Sequence, residues 1–163
     1  MITRKAKTID LPDIVGLFTG AVRKLKDDGI EQWDEIYPDK GILEEDIVSG
    51  QMYLCEIQKT IASAFTLNCN CEAEYGNGKW RFDGSYMVVH RLCVNPSLQN
   101  QGIGTKTMII VEDMLRVHGI KAARLDAFSL NPHALKTYEK LGYRKVGEVN
   151  WRKGLFYLYE KAL

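Results

Sequence analysis

The chain has 163 residues, with 22 Lys plus Arg against 21 Asp plus Glu. That length predicts one domain over residues 1–163 with a sizeable core, and a net charge of +1 argues against a nucleic-acid partner, which would need a basic excess. No apolar run is long enough to span a bilayer, and Met1-Ile-Thr-Arg-Lys-Ala-Lys7 lacks the apolar stretch of a signal peptide, so a cytoplasmic protein with no membrane partner is expected. The 4 cysteines (Cys55, Cys69, Cys71, Cys93) are too sparse for a disulfide scaffold, and Cys69-x-Cys71 is not a zinc spacing, so free thiols and no metal are expected.

Ile2 to Lys7 predicts a first strand. Asp10-Leu-Pro-Asp13 predicts an N-cap with an acidic third position, followed by Leu11, Ile14, Phe18, Ala21 and Leu25 at helical spacing and by Gly29 as the stop. Ile30 to Tyr37 is a Trp-bearing connection closed by Pro38. Ile42 to Val48 predicts a second helix with an acidic first turn. Gln51 to Ile57 and Ile61 to Leu67 predict a hairpin, and Asn68 to Asp83 an irregular polar loop. Tyr86 to Val94 predicts a strand, Gly102 to His118 a helix and Ala122 to Phe128 a strand. Pro132 to Lys140 is a predicted helix, with Asn131 as N-cap, Pro132 at its first position and Gly142 as its stop. Tyr143 to Val149 and Leu155 to Lys161 are the last predicted strands, with Trp151 between them.

The run Gln99-Asn-Gln-Gly-Ile-Gly104 falls between a strand and a helix start. Unpaired amides, the helix dipole and glycines that let a bulky anion approach make such a place an anion site, most often for phosphate. A P-loop needs a different glycine spacing. A dinucleotide fingerprint needs a third glycine where Thr107 stands, although Asp126 is available as a ribose partner. The remaining pattern, Gln99-x-x-Gly102-x-Gly104 within Leu92-Cys-Val-Asn-Pro-Ser-Leu-Gln-Asn-Gln-Gly-Ile-Gly104, resembles the acyl-CoA pyrophosphate loop of the GNAT superfamily of N-acetyltransferases. Asn131-Pro-His-Ala-Leu-Lys-Thr-Tyr-Glu-Lys-Leu-Gly-Tyr143 resembles that family's later motif. The resemblance covers Tyr86 to Lys161, and over Met1 to Asn70 it extends only to element order.

The resemblance implies an α/β fold with a mixed, mostly antiparallel sheet of about seven strands, helices on both faces and a splay between strands 4 and 5. It implies acetyl-CoA as co-substrate. Gln99, Asn100, Gln101, Gly102, Ile103, Gly104 and Thr105 would hold the diphosphate, the backbone of Leu92, Cys93 and Val94 the pantetheine arm, and Asn131 the same arm beyond its cap. Tyr138 would act at the sulfur. Full proton transfer from a Tyr to a thiolate is uphill by roughly 2 kcal/mol at reference pKa values, so a hydrogen bond to the departing sulfur is the safer role.

The general base stays open. Where many relatives carry a Glu this chain has Val88 and Val89. His90, on the face of Val88 and Leu92, reads equally as base or structural histidine. Glu31, Asp34 and Glu35 surround Trp33 in a segment that lines the acceptor pocket in the family, and Trp33, with Ile30, Gln32, Tyr37 and Pro38, reads equally as a wall of that pocket or as a cover for the sheet. The expected acceptor is an amine of a small molecule or peptide, transferred by direct attack on the thioester. A CoA-binding regulator without activity and a nucleotide protein with a similar loop are the alternatives. Small enzymes of the family often pair as homodimers.

Overall fold

The computed structural model describes residues 1–163. Seven strands form one sheet: β1 (Ile2–Lys5), β2 (Met52–Ile57), β3 (Thr60–Asn68), β4 (Tyr86–Val94), β5 (Ala122–Phe128), β6 (Arg144–Trp151) and β7 (Gly154–Ala162), in the order β1-β2-β3-β4-β5-β7-β6. Four helices flank it: α1 (Leu11–Asp27), α2 (Lys40–Val48), α3 (Ile103–Val117) and α4 (Pro132–Lys140). The sheet is mostly antiparallel, with β4 and β5 parallel. The β4–β5 register runs from Tyr86↔Ala122 to Val89↔Leu125, and both strands continue past that last pair, to Val94 and Phe128. The chain divides into two compact units, residues 1–67 with 91–107 and residues 68–90 with 108–163.

In the first unit, α1 buries Leu11, Ile14, Leu17, Phe18 and Ala21, the helical stripe of the sequence. They pack with Leu43 and Ile47 of α2, Met52 and Leu54 of β2, Ala64 of β3 and Cys93 of β4. Truncating one such side chain, Leu54 for instance, costs about 2–5 kcal/mol.

Two helix starts differ from the sequence expectation. Asp10 ends a 3-10 turn (Thr8–Asp10) and makes no side-chain cap bond to α1. Its carboxylate instead accepts from Arg4 Nη1 and Nη2 at 2.7 and 2.9 Å and from the Lys7 amide at 2.7 Å, because a charged fork offers stronger bonds than a helix amide. The second helix begins earlier, at Lys40, with Asp39 capping the Ile42 amide at 2.8 Å, so its first turn is not acidic.

The β2–β3 hairpin turns on Gln58 and Lys59, with φ of 50° and 67°. Both are left-handed without a glycine, which costs an L-residue roughly 1–2 kcal/mol each.

In the second unit, β5 pairs β7 in register from Ala122↔Ala162 to Phe128↔Phe156, and β6 closes the other side of β7. Trp151 is the last residue of β6, opposite Gly154, rather than a residue between the strands. The stretch expected to be an irregular loop contains a 3-10 turn (Ala73–Asn77) and is firmly docked. Tyr75 donates to Asp126 Oδ1 at 2.7 Å, the Arg81 amide to Glu160 Oε2 at 2.8 Å, and Arg124 Nη2 to the Phe82 carbonyl at 3.0 Å. The Arg124 guanidinium lies 4.2 Å from the Trp80 ring centre and 3.8 Å from that of Tyr86, and its Nε donates to Glu160 at 3.1 Å. Gly147 admits this loop: a Cβ there would stand 2.9 Å from the Asn77 carbonyl oxygen.

Candidate active site

The Gln99–Thr105 segment is built by its neighbours in sequence and by β3. Asn95 anchors its approach, with Nδ2 donating to the Ile61 carbonyl at 2.9 Å and Oδ1 accepting from the Ser97 amide at 3.0 Å. A 3-10 turn (Pro96–Leu98) follows, Asn100 and Gly102 take φ of 61° and 74°, and α3 starts at Ile103. The Lys106 amide bonds to the Gly102 carbonyl at 3.0 Å. The amides of Ile103, Gly104 and Thr105 come before that bond, in the turn whose N–H groups have no intrahelical acceptor. No acidic side chain stands in this turn. The turn is held from beneath: Thr107 Oγ1 donates to the Ile103 carbonyl at 2.9 Å and lies 2.7 Å from Ser63 Oγ, both side chains fully buried.

The two glycines work differently. Gly102 is needed for its left-handed backbone. Gly104 has no such φ, and a Cβ on it would meet nothing closer than Val94 Cγ2 at an ordinary 3.6 Å. A Cβ on Gly104 would thus rest against Val94 without a clash, whereas one on Gly102 would meet nothing within 4 Å. Amides, dipole and the absence of acid together are the features of an anion site.

On β4, Cys93 is buried and Leu92 and Val94 are half-buried. Burial pushes the Cys93 thiol well above its ordinary value, which leaves it a packing group rather than a nucleophile. Just before these residues Arg91 takes φ of 51° within the strand. The simple alternation read from the sequence fails here: Val88 and Val89 are both buried, and His90 is half-buried. The Arg91 side chain turns to Asp46 of α2, Nε to Oδ2 and Nη2 to Oδ1, each at 2.8 Å. Its Nη1 donates to the Tyr37 hydroxyl at 2.9 Å.

Trp33 packs on Phe18, ring centres 5.5 Å apart, and joins the edge of the first core. Tyr37 and Glu31 are exposed. Asp34 Oδ1 accepts from the amides of Ile36 and Tyr37, at 3.0 and 3.1 Å, and folds this segment on itself.

In the second unit, Asn131 caps α4 as expected, with Oδ1 accepting from the Ala134 amide at 3.1 Å. Tyr138 is buried among Tyr143 and Tyr159, at ring-centre separations of 5.8 and 6.2 Å. Burial, and then the negative charge of Asp126, pushes its hydroxyl far above the ordinary Tyr value. It stays protonated, which suits a hydrogen-bond donor and makes it a weak acid. Sequence reasoning offered Asp126 only as a ribose partner. The structure instead makes it the meeting point of Tyr75 and the field felt by Tyr138.

A sequence model described as "Acetyltransferase (GNAT) domain" matches residues 21–159. A curated acetyltransferase of Agrobacterium fabrum, Atu2258, is 34% identical over 64 residues, 39% of this chain and 45% of that protein, so the match spans less than half of the relative. A GNAT-family acetyltransferase structure from Streptococcus agalactiae superposes with TM-score 0.87 at 22% identity, covering 99% of this chain and 95% of that one. The PaiA N-acetyltransferase of Thermoplasma acidophilum, solved in complex with coenzyme A, superposes with TM-score 0.73 at 17% identity, covering 99% and 98%. At these identities the two structures show the fold alone.

Proposed function

The chain belongs to the GNAT acetyltransferase family, and from that premise we propose that, as one domain, it moves the acetyl group of acetyl-CoA to a primary amine of a small molecule or peptide. The observation that carries this reading is the turn at Gly102–Thr105, a cluster of amides at a helix start with no acidic side chain in it and open space beside Gly102. Gln99 to Thr105 would hold the diphosphate, and the backbone of Leu92, Cys93 and Val94 with Asn131 the amide-rich arm.

Direct attack by the amine fits the chemistry of the side chains. The only cysteine on β4, Cys93, is a buried thiol with a raised pKa and a poor covalent carrier. The neutral amine nitrogen would bond to the thioester carbon, the carbon–sulfur bond would break with its electron pair on the departing thiolate, and the proton lost by the nitrogen would pass to water. Tyr138, held protonated, would stabilise that thiolate by a hydrogen bond. The raised pKa makes complete proton transfer from Tyr138 still less favourable than the reference values suggest. Tyr37 and Glu31 offer exposed groups to the acceptor, Trp33 a wall behind them, and His90 a half-buried imidazole.

Thermal melts with acetyl-CoA, and an amine panel read by release of free CoA thiol, test the proposal. A concentration-dependent rise in Tm with thiol release is the expected result. No rise far above ordinary cofactor concentrations would overturn it. A rise without thiol release from any amine would favour the regulator. Tyr138→Phe should lower kcat by about 100- to 1,000-fold, the range for loss of a single transition-state donor, with CoA affinity nearly unchanged.

A further inference from the structure

Arg91 is the one strand residue of β4 in the left-handed region. An L-residue persists there only when its surroundings over-determine it, and here the side chain supplies the constraint. The guanidinium forms a parallel two-bond fork with Asp46. Both side chains are nearly closed to solvent, at 12% and 8% exposure. Asp46 Oδ2 also accepts from Thr66 Oγ1 of β3 at 2.8 Å. The remaining guanidinium nitrogen, Nη1, reaches out of this buried set to the Tyr37 hydroxyl, whose ring lies 5.9 Å from the guanidinium carbon. Tyr37 is in turn fixed to Asp34 through its own amide. One side chain therefore joins α2, β3, the kink in β4 and the 34–37 segment.

We propose that Arg91 is a positioning residue that couples the cofactor strand to the acceptor segment. Leu92 follows the kink directly, so the direction of the Leu92–Val94 backbone depends on the conformation at Arg91. The same guanidinium sets the place of Tyr37. An arm bound along Leu92–Val94 stiffens the kink, and through Nη1 it stiffens the segment around Tyr37. This inference rests on the reading that Leu92–Val94 hold the cofactor.

The test is amide hydrogen exchange at Ile36 and Tyr37, with CoA titrated in parallel by calorimetry. Wild type should bind CoA and slow exchange at both amides by about tenfold. Arg91→Gly keeps the left-handed backbone available while removing the fork. It should weaken CoA binding about tenfold and abolish the protection. Tyr37→Phe removes only an exposed hydroxyl, so it keeps the test decisive where Arg91→Gly fails to fold. It should keep CoA affinity within about twofold and lose most of the protection. CoA binding by wild type without protection at Ile36 and Tyr37 would overturn the coupling. So would full protection in Tyr37→Phe, or in a folded Arg91→Gly that binds CoA as wild type does. Absence of CoA binding by wild type would instead overturn the proposed function itself. A purely structural fork would lower Tm in Arg91→Gly and leave the exchange response of Tyr37→Phe unchanged.

Discussion

The Tyr75 hydroxyl donates to Asp126 Oδ1 at 2.7 Å and joins the 3-10 turn to the middle of β5. Tyr75 also stacks near Trp80 and Trp151, at ring-centre distances of 5.7 and 6.2 Å. Tyr75→Phe keeps the stacking and removes the bond to the carboxylate. A loss of about 1.5–3 kcal/mol is expected, the range for hydrogen bonds to charged groups. Urea denaturation measures it, and faster amide exchange over residues 73–81 should accompany it. A variant as stable as wild type would show that the bond does not hold the turn.

The two loop glycines separate folding from binding. Gly102→Ala forces a Cβ onto a backbone at φ of 74° and should cost about 1–2 kcal/mol. Gly104→Ala meets only Val94 Cγ2 at 3.6 Å, and it should melt within a degree or two of wild type without ligand. The added methyl would occupy the space assigned to the diphosphate, so the Tm rise with acetyl-CoA should largely vanish. Paired melts with and without acetyl-CoA check both. An unchanged ligand response in Gly104→Ala would place the diphosphate elsewhere.

The hairpin turn offers a gain. Gln58 and Lys59 are both left-handed, the geometry that favours Asn-Gly. Lys59→Gly should stabilise the protein by about 0.5–1 kcal/mol, since relief of the left-handed strain outweighs the added freedom of glycine in the unfolded chain. Equilibrium unfolding of the single variant reads this directly.

High pH should weaken the fold through its tyrosines. Burial, with added effects from neighbouring carboxylates, raises the hydroxyls of Tyr138, Tyr143 and Tyr159, the last to about 12. An unfolded Tyr titrates near 10. A pKa raised on folding gives stability that is complete below the unfolded value. That stability disappears as pH climbs through the folded one. For Tyr159 the loss falls between about pH 10 and about pH 12. Ultraviolet titration should show these three of the 8 tyrosines ionising later than the exposed ones. Tyr159→Phe should flatten the alkaline limb of the urea midpoint.

Elements with strong local signals were legible in the sequence. Residues 122–128 and 132–140 have the bounds expected, because β5 is a short, mostly apolar run buried at every position but Asp126, and Asn131, Pro132 and Gly142 mark the ends of α4. The loop at Gly102 was legible for the same reason: glycine spacing is a local signal. The kink at Arg91 was not. The side chain there pairs with Asp46, 45 residues away in sequence, and Arg carries no preference for left-handed backbone. Tyr75 and Asp126 are 51 residues apart, so a polar, glycine-bearing stretch read as irregular gave no hint of its docking. Asp10 had the right residue type for a cap and lost that role to Arg4, a competition visible only in three dimensions.

The four thiols divide by access. Cys55 and Cys93 are buried, whereas Cys69 and Cys71 are exposed just ahead of the docked 3-10 turn. A maleimide dye would consequently attach at the foot of that turn in the unaltered protein. Its emission would report every departure of Tyr75 and Trp80 from their seats, without any engineered cysteine.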